Sequence, residues 1–124
     1  MFIKFIFMKG AFIDMEINTT RGNDFLLLTM NGDFTLTEID IFKQSLNTIL
    51  NNKEKNIVIN LKDMKFIDSA GIGQLVSVVN VCQNKKKTLL IMNATTFVMQ
   101  SLKTVGLEKF FNFISQDDFE RKFR

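Results

Sequence analysis

The sequence contains no histidine, proline, tryptophan or tyrosine, and a single cysteine. Without histidine, neither a Ser-His-Asp nor a Cys-His catalytic pair can be assembled. One cysteine and no histidine also exclude a soft-ligand zinc site and any disulfide within the chain. An oxygen-only Mg²⁺ or Ca²⁺ site stays chemically open, but no metal or cofactor is expected. Cys82 lies in an apolar run and reads as a reduced core residue of a cytosolic protein. Proline is absent and glycine numbers six, and no repeat, low-complexity stretch or Pro/Gly/Ser linker divides the chain.

A long apolar run is missing too. Residues 1–10 are hydrophobic but interrupted by Lys4 and Lys9. A spanning helix needs about 20 apolar residues, and a signal peptide needs an unbroken apolar stretch of roughly 7–15. Residues 1–12 therefore read as an N-terminal extension or extra strand, or as sequence upstream of a start at Met8 or Met15. Residues 13–124 read as one domain. As an apolar edge, such a strand can pair with a copy of itself, so a monomer or weak dimer is expected.

Basic charge is scarce where it would count. The net charge is +3, from 16 Lys and Arg against 13 Asp and Glu. Leaving out Lys4, Lys9, Arg121, Lys122 and Arg124 leaves 11 against 13, so the body carries −2. A nucleic-acid binder should show a basic stripe with stacking aromatics, so no direct nucleic-acid partner is expected. Lys85-Lys86-Lys87 reads as a solvated turn in preference to a phosphate-binding patch.

What is present is ample core material: 124 residues, 46% hydrophobic, with 14 phenylalanines. None of these needs a hydrogen-bond partner when buried, unlike tyrosine or tryptophan. Met15–Thr20 and Phe25–Met30 read as strands, with a strong turn signal at Asn31-Gly32-Asp33. Thr35-Leu-Thr-Glu38 matches a capping box. Ile39, Phe42, Leu46, Ile49 and Leu50 then keep to one face of a helix that should end near Asn51-Asn52. Asn56–Leu61 and Thr88–Met92 read as buried strands. Ile72, Leu75, Val76, Val79 and Cys82 mark a second helix, closing near Asn84-Lys85. A third runs from about Thr95 to Val105, with Gly106 as its left-handed terminator. Phe110–Ile114 reads as a last strand, and Ser115 opens a terminal helix. Strands alternating with helices predict an α/β fold: a mixed, mostly parallel sheet of about five strands, four helices packed on it, and an antiparallel N-terminal edge.

The segment most informative about chemistry is Phe66-Ile-Asp-Ser-Ala-Gly-Ile-Gly-Gln-Leu75, which joins a strand to a helix. Ser69 falls at the helix N-terminus, where orphan amides and the helix dipole favour negative charge. The bland reading makes Ser69 only an N-cap, a job Asp68 can also do. Three enzymatic readings fail. A nucleophile elbow needs Gly where Ile67 stands. Gly71-Ile-Gly73 lacks the third glycine and the lysine of phosphate-cradling loops. Asp33, Asp63 and Asp68 form an acid–base pair only if distant loops converge.

Ile57-Val-Ile-Asn-Leu61 and Lys65-Phe-Ile-Asp-Ser-Ala-Gly-Ile-Gly-Gln-Leu75 resemble the signature of the STAS domain, most closely that of bacterial anti-sigma factor antagonists. Asn31-Gly-Asp-Phe34 and Val105-Gly-Leu107 also fit, so the resemblance spans about residues 13–123. It implies the STAS fold and a partner-switching module instead of an enzyme. In such families the unmodified antagonist binds an anti-sigma factor that is also a serine kinase, freeing the sigma factor. The kinase phosphorylates the serine of the Asp-Ser motif, and a PP2C-type phosphatase removes the phosphate. Carried over, the phosphoacceptor is Ser69, and Asp33, Asp68, Ala70, Gly71 and Ile72 are its partner-binding neighbours. Many relatives carry a second Ser or Thr after the acceptor; here Ala70 leaves Ser69 as the only hydroxyl of the loop, Ser77 lying further along the helix. A scaffold subunit of a stress-sensing complex or a lipid-transport ABC system is the alternative. A ligand-binding module for a nucleotide or other small molecule is a third possibility, for which no phosphate loop is visible.

Overall fold

A computed structural model describes residues 2–6, 15–51 and 53–123, with 2–6, 48 and 49 as backbone alone. The elements are β1 (Phe2–Ile6), β2 (Met15–Arg21), β3 (Phe25–Phe34), a 3-10 turn (Leu36–Glu38), α1 (Ile39–Leu50), β4 (Asn56–Asn60), β5 (Met64–Ile67), α2 (Ser69–Asn84), β6 (Thr88–Met92), α3 (Thr96–Thr104), a 3-10 turn (Glu108–Phe110), β7 (Phe113–Ile114) and α4 (Gln116–Phe123). They form one sheet in the order β1-β2-β3-β4-β6-β7, with β5 also on β3. β1, β2 and β3 are antiparallel neighbours, and every other pairing is parallel. The expected α/β class and antiparallel edge are present, and four helices pack on the sheet.

The strands of the sheet centre are buried on both faces, as their unbroken apolar runs require. Leu26, Leu28 and Met30 of β3, Ile57 and Ile59 of β4, and Leu89 and Ile91 of β6 join the larger core with residues of α1, α2 and α3. The alternate residues Phe25, Leu27, Val58 and Met92 face the other way and are covered by Phe119 of α4. Phe119 meets Phe25 edge-on at 5.2 Å between ring centroids. In α2 the buried line is Gly71, Ile72, Leu75, Val78 and Cys82, whereas Val76 and Val79 are only half-buried. Ile49, expected on the apolar face of α1, lies outside the described side chains, as Met8, Lys9, Asn52 and Arg124 lie outside the described residues altogether.

Three local expectations are corrected. Asn31-Gly32-Asp33 is not a turn but part of β3, where the register shifts between Gly32 and Asp33. Gly32 adopts φ +102°, so the freedom that suggested a turn serves a bulge instead. Beside that bulge β3 changes partner, from β4 at residues 25–29 to β5 at residues 32–34. β5 itself went unread, because four residues are too few for a periodic signal, and with β1 it raises the strand count to seven. The last strand is also shorter than expected. Glu108–Phe110 turns as a 3-10 helix, and only Phe113–Ile114 pairs with β6. Among the described residues no helix is long and apolar enough to cross a membrane.

Candidate functional site

The segment around Ser69 is held by backbone geometry from both sides. Phe34 pairs with Ile67 across β3 and β5, and the Asp68 N–H continues the contact by donating to the Phe34 carbonyl at 3.2 Å. Asp68 then caps α2. Its Oδ1 accepts the Gly71 N–H at 2.9 Å, and its Oδ2 accepts the N–H of Leu36, 32 residues earlier, at 3.1 Å. One carboxylate thus joins the start of α2 to the turn that precedes α1. Charge-assisted bonds of this kind are roughly twice as strong as neutral ones.

The capping role that Ser69 was open to therefore belongs to Asp68. Ser69 is the first residue of α2 and is exposed, and its hydroxyl has no hydrogen bond among the described residues. Ala70 is half-buried against the core. Gly71 and Ile72 are buried. A Cβ on Gly71 would lie 2.3 Å from the Phe34 carbonyl oxygen and 2.8 Å from Ile67 Cγ1. Glycine is required there by the close approach of helix and strand. Gly73, one turn beyond Ser69, is exposed with open space around it. Asp33 is half-buried and stands opposite Phe66, three residues before Ser69. All six sequence-predicted site residues thus share one end of the sheet, two of them facing inward.

The turn before α1 is equally fixed. Glu38 is 2% exposed, and its Oε1 accepts both the N–H and the hydroxyl of Thr35 at 2.9 Å. The Glu38 N–H goes to the Thr35 carbonyl at 3.0 Å, closing a 3-10 turn before the α-helix begins. This leaves Leu36 73% exposed beside Asp68. On β5, Phe66 is 43% exposed and packs on the 45% exposed Phe97 of α3, with ring centroids 5.3 Å apart. Sequence reasoning missed this apolar rim. The signal was present in Phe97, which falls off the Val98, Met99 and Leu102 face of its helix, and in Leu36, a large apolar residue inside a polar capping sequence.

The site offers one exposed hydroxyl, an adjacent carboxylate already committed to two N–H groups, and apolar side chains around them. Among the described residues no group of acidic or sulfur side chains is arranged to hold a metal. Cys82 lies at the far end of α2, where burial pushes its thiol up to about 11, against an opposing pull from Lys87.

A family model described as the STAS domain matches residues 15–118. The anti-sigma-B factor antagonist of Staphylococcus aureus is 20% identical over 96 residues, covering 77% of this chain and 89% of the relative. Among solved structures, the unphosphorylated anti-sigma factor antagonist SpoIIAA superposes with a TM-score of 0.70 at 13% identity, over 86% of this chain and 94% of that one. The phosphorylated form of the Bacillus protein SpoIIAA superposes with a TM-score of 0.65 at 12% identity, over 86% and 97%. At these identities the structural likeness is one of fold.

Proposed function

The chain belongs to the STAS domain family, and from that premise we propose that it is an anti-sigma factor antagonist switched by phosphorylation of Ser69. In its unmodified state it binds an anti-sigma factor that is also a serine kinase, and the sigma factor is released. The kinase transfers the γ-phosphoryl group of ATP to Ser69 Oγ, the hydroxyl proton leaves, and ADP departs. A PP2C-type phosphatase hydrolyses the phosphoester and restores the hydroxyl. The exchange takes place in the cytoplasm, and the chain acts as a regulated surface, not as a catalyst.

The observation that carries this reading is the division of labour between Asp68 and Ser69. Asp68 supplies the cap, so the Ser69 hydroxyl is exposed and uncommitted at the start of a helix. A phosphoserine there carries about −1.5 to −2 charges. The helix N-terminus accommodates that charge within the domain. Against a partner shaped for a neutral hydroxyl, and next to the Asp68 carboxylate, the same charge adds repulsion and desolvation. A change of about 2.7 kcal/mol weakens binding roughly a hundredfold. Leu36, Phe66 and Phe97 supply the apolar contact area around the switch.

Mass spectrometry of the protein from its native cells, with and without phosphatase treatment, tests the assignment. A phosphatase-sensitive phosphoryl group on Ser69 is expected. Its absence across growth and stress conditions would overturn the switch.

A further inference from the structure

The opposite end of α2, about 24 Å from Ser69 by the helical rise, carries a run of like charge, Lys85 to Lys87. Lys85-Lys86-Lys87, which the sequence alone presents as a solvated turn, does not stand by itself. Parallel pairing of β4 with β6 sets Asn56 opposite Thr88, and the Thr88 N–H donates to the Lys55 carbonyl at 2.8 Å. This brings Lys53 and Lys55 alongside the other three. The five lysines line one groove of about 540 Å³, together with the end of α1 at Leu50 and Asn51.

Two of the five are tied to the fold. Lys85 Nζ donates to Asn51 Oδ1 at 3.3 Å, and Lys87 Nζ donates to the Glu54 carbonyl at 2.5 Å. The side-chain ammonium groups of Lys53, Lys55 and Lys86 have no hydrogen bond or ion pair among the described residues. Glu54 is the only acidic residue in these two segments, and its carboxylate is held by Arg21 at 2.5 Å.

Lys86 adds an independent sign. The Lys87 N–H donates to the Cys82 carbonyl and the Lys86 N–H to the Gln83 carbonyl, with Lys86 at φ +58°. α3 ends the same way: Leu107 donates to Leu102, Gly106 donates to Lys103, and Gly106 sits at φ +73°. Glycine meets that left-handed position without strain. At α2 the position is occupied by a lysine, despite the backbone penalty. The carbonyl ends of α1 and α2 favour cations, but a strained third lysine beside four others exceeds what two helix ends require.

We propose that this groove binds a compact, multiply charged phosphate anion, whether a soluble oligophosphate or a phosphorylated lipid headgroup. Among the described residues no aromatic side chain lines it, so they offer no platform for stacking a base, and the recognition is of charge.

Calorimetric titration of the full chain with inorganic tripolyphosphate at low salt tests the proposal, beside sedimentation with vesicles of phosphatidylcholine containing phosphatidic acid. Saturable, salt-sensitive binding is expected, weakened at least tenfold by the pair Lys53→Gln and Lys55→Gln. Lys86→Gly should weaken binding while raising the melting temperature, which separates loss of the site from loss of the fold. Binding of tripolyphosphate without vesicles identifies a soluble ligand, whereas vesicle binding displaced by tripolyphosphate identifies a headgroup. Failure of both probes to bind would overturn the site. So would binding unaffected by these substitutions, or weakened as much by Lys62→Gln and Lys65→Gln outside the groove. Ser69→Asp should leave the titration unchanged, so this result stands apart from the partner switch.

Discussion

Leu36 donates its backbone N–H to Asp68 Oδ2 at 3.1 Å while its side chain stays largely in solvent. One hydrogen bond thus ties an exposed apolar side chain to the residue that precedes Ser69. The same carboxylate caps α2 through Gly71. Displacing Asp68 would therefore disturb the helix start, the turn before α1 and the apolar rim together.

Substitutions at 68 and 69 should separate structure from switching. Asp68→Ala removes the cap and leaves the Leu36 N–H without its acceptor, and should cost about 1–2 kcal/mol of stability in denaturant titration. Ser69→Ala should change stability by less than about 0.5 kcal/mol, because the hydroxyl is exposed and supports nothing. It should also abolish phosphorylation of the loop. Ser69→Asp should fold normally and lose roughly a hundredfold in affinity for the anti-sigma partner. Undiminished affinity in surface-plasmon measurements would defeat the proposed switch.

The two glycines of the loop should respond with opposite signs. Gly71→Ala forces a Cβ to within 2.3 Å of the Phe34 carbonyl oxygen, a clash with main chain that no rotamer relieves. It should destabilise the protein by about 1–3 kcal/mol. Gly73→Ala places a methyl group in open space within a helix and should stabilise by about 0.5–1 kcal/mol. Melting curves of the two variants check both signs.

The apolar rim should matter more for binding than for folding. Leu36→Ser should leave stability within about 0.5 kcal/mol of the parent, since the side chain is 73% exposed. Phe66→Ala should lose the ring contact with Phe97, a contribution of about 0.5–1.5 kcal/mol. Either change should weaken the anti-sigma partner by more than about 1 kcal/mol if these side chains anchor the interface. Unchanged affinity in both variants would place the docking surface elsewhere.

Cys82 predicts a loss of stability in alkali. Burial pushes its folded thiol from an ordinary value of 9.0 up to about 11. The unfolded chain therefore releases its thiol proton first as pH rises. The stabilisation is complete below pH 9, declines between pH 9 and 11, and amounts to about 3 kcal/mol. Comparing Cys82→Ala with the parent across that window isolates the contribution, since the variant has no thiol to titrate.

The alternation of strand and helix was legible in the residues themselves, and so were the apolar faces, the Gly106 terminator and the Asp-Ser segment at a helix start. Such features depend on neighbours within a turn or two, and periodicity reports them directly. The bulge at Gly32 and the strand Met64–Ile67 were not legible, because both exist only where β3 exchanges one partner for another. The choice of Asp68 over Ser69 as cap was likewise open until Leu36 and Gly71 were seen to share its carboxylate. The gathering of Lys53 and Lys55 beside Lys85–Lys87 follows from the pairing of two strands 32 residues apart. A sequence states which face of an element is apolar. Which distant segments meet at its ends is set by sheet register, and that register is a property of the packed core.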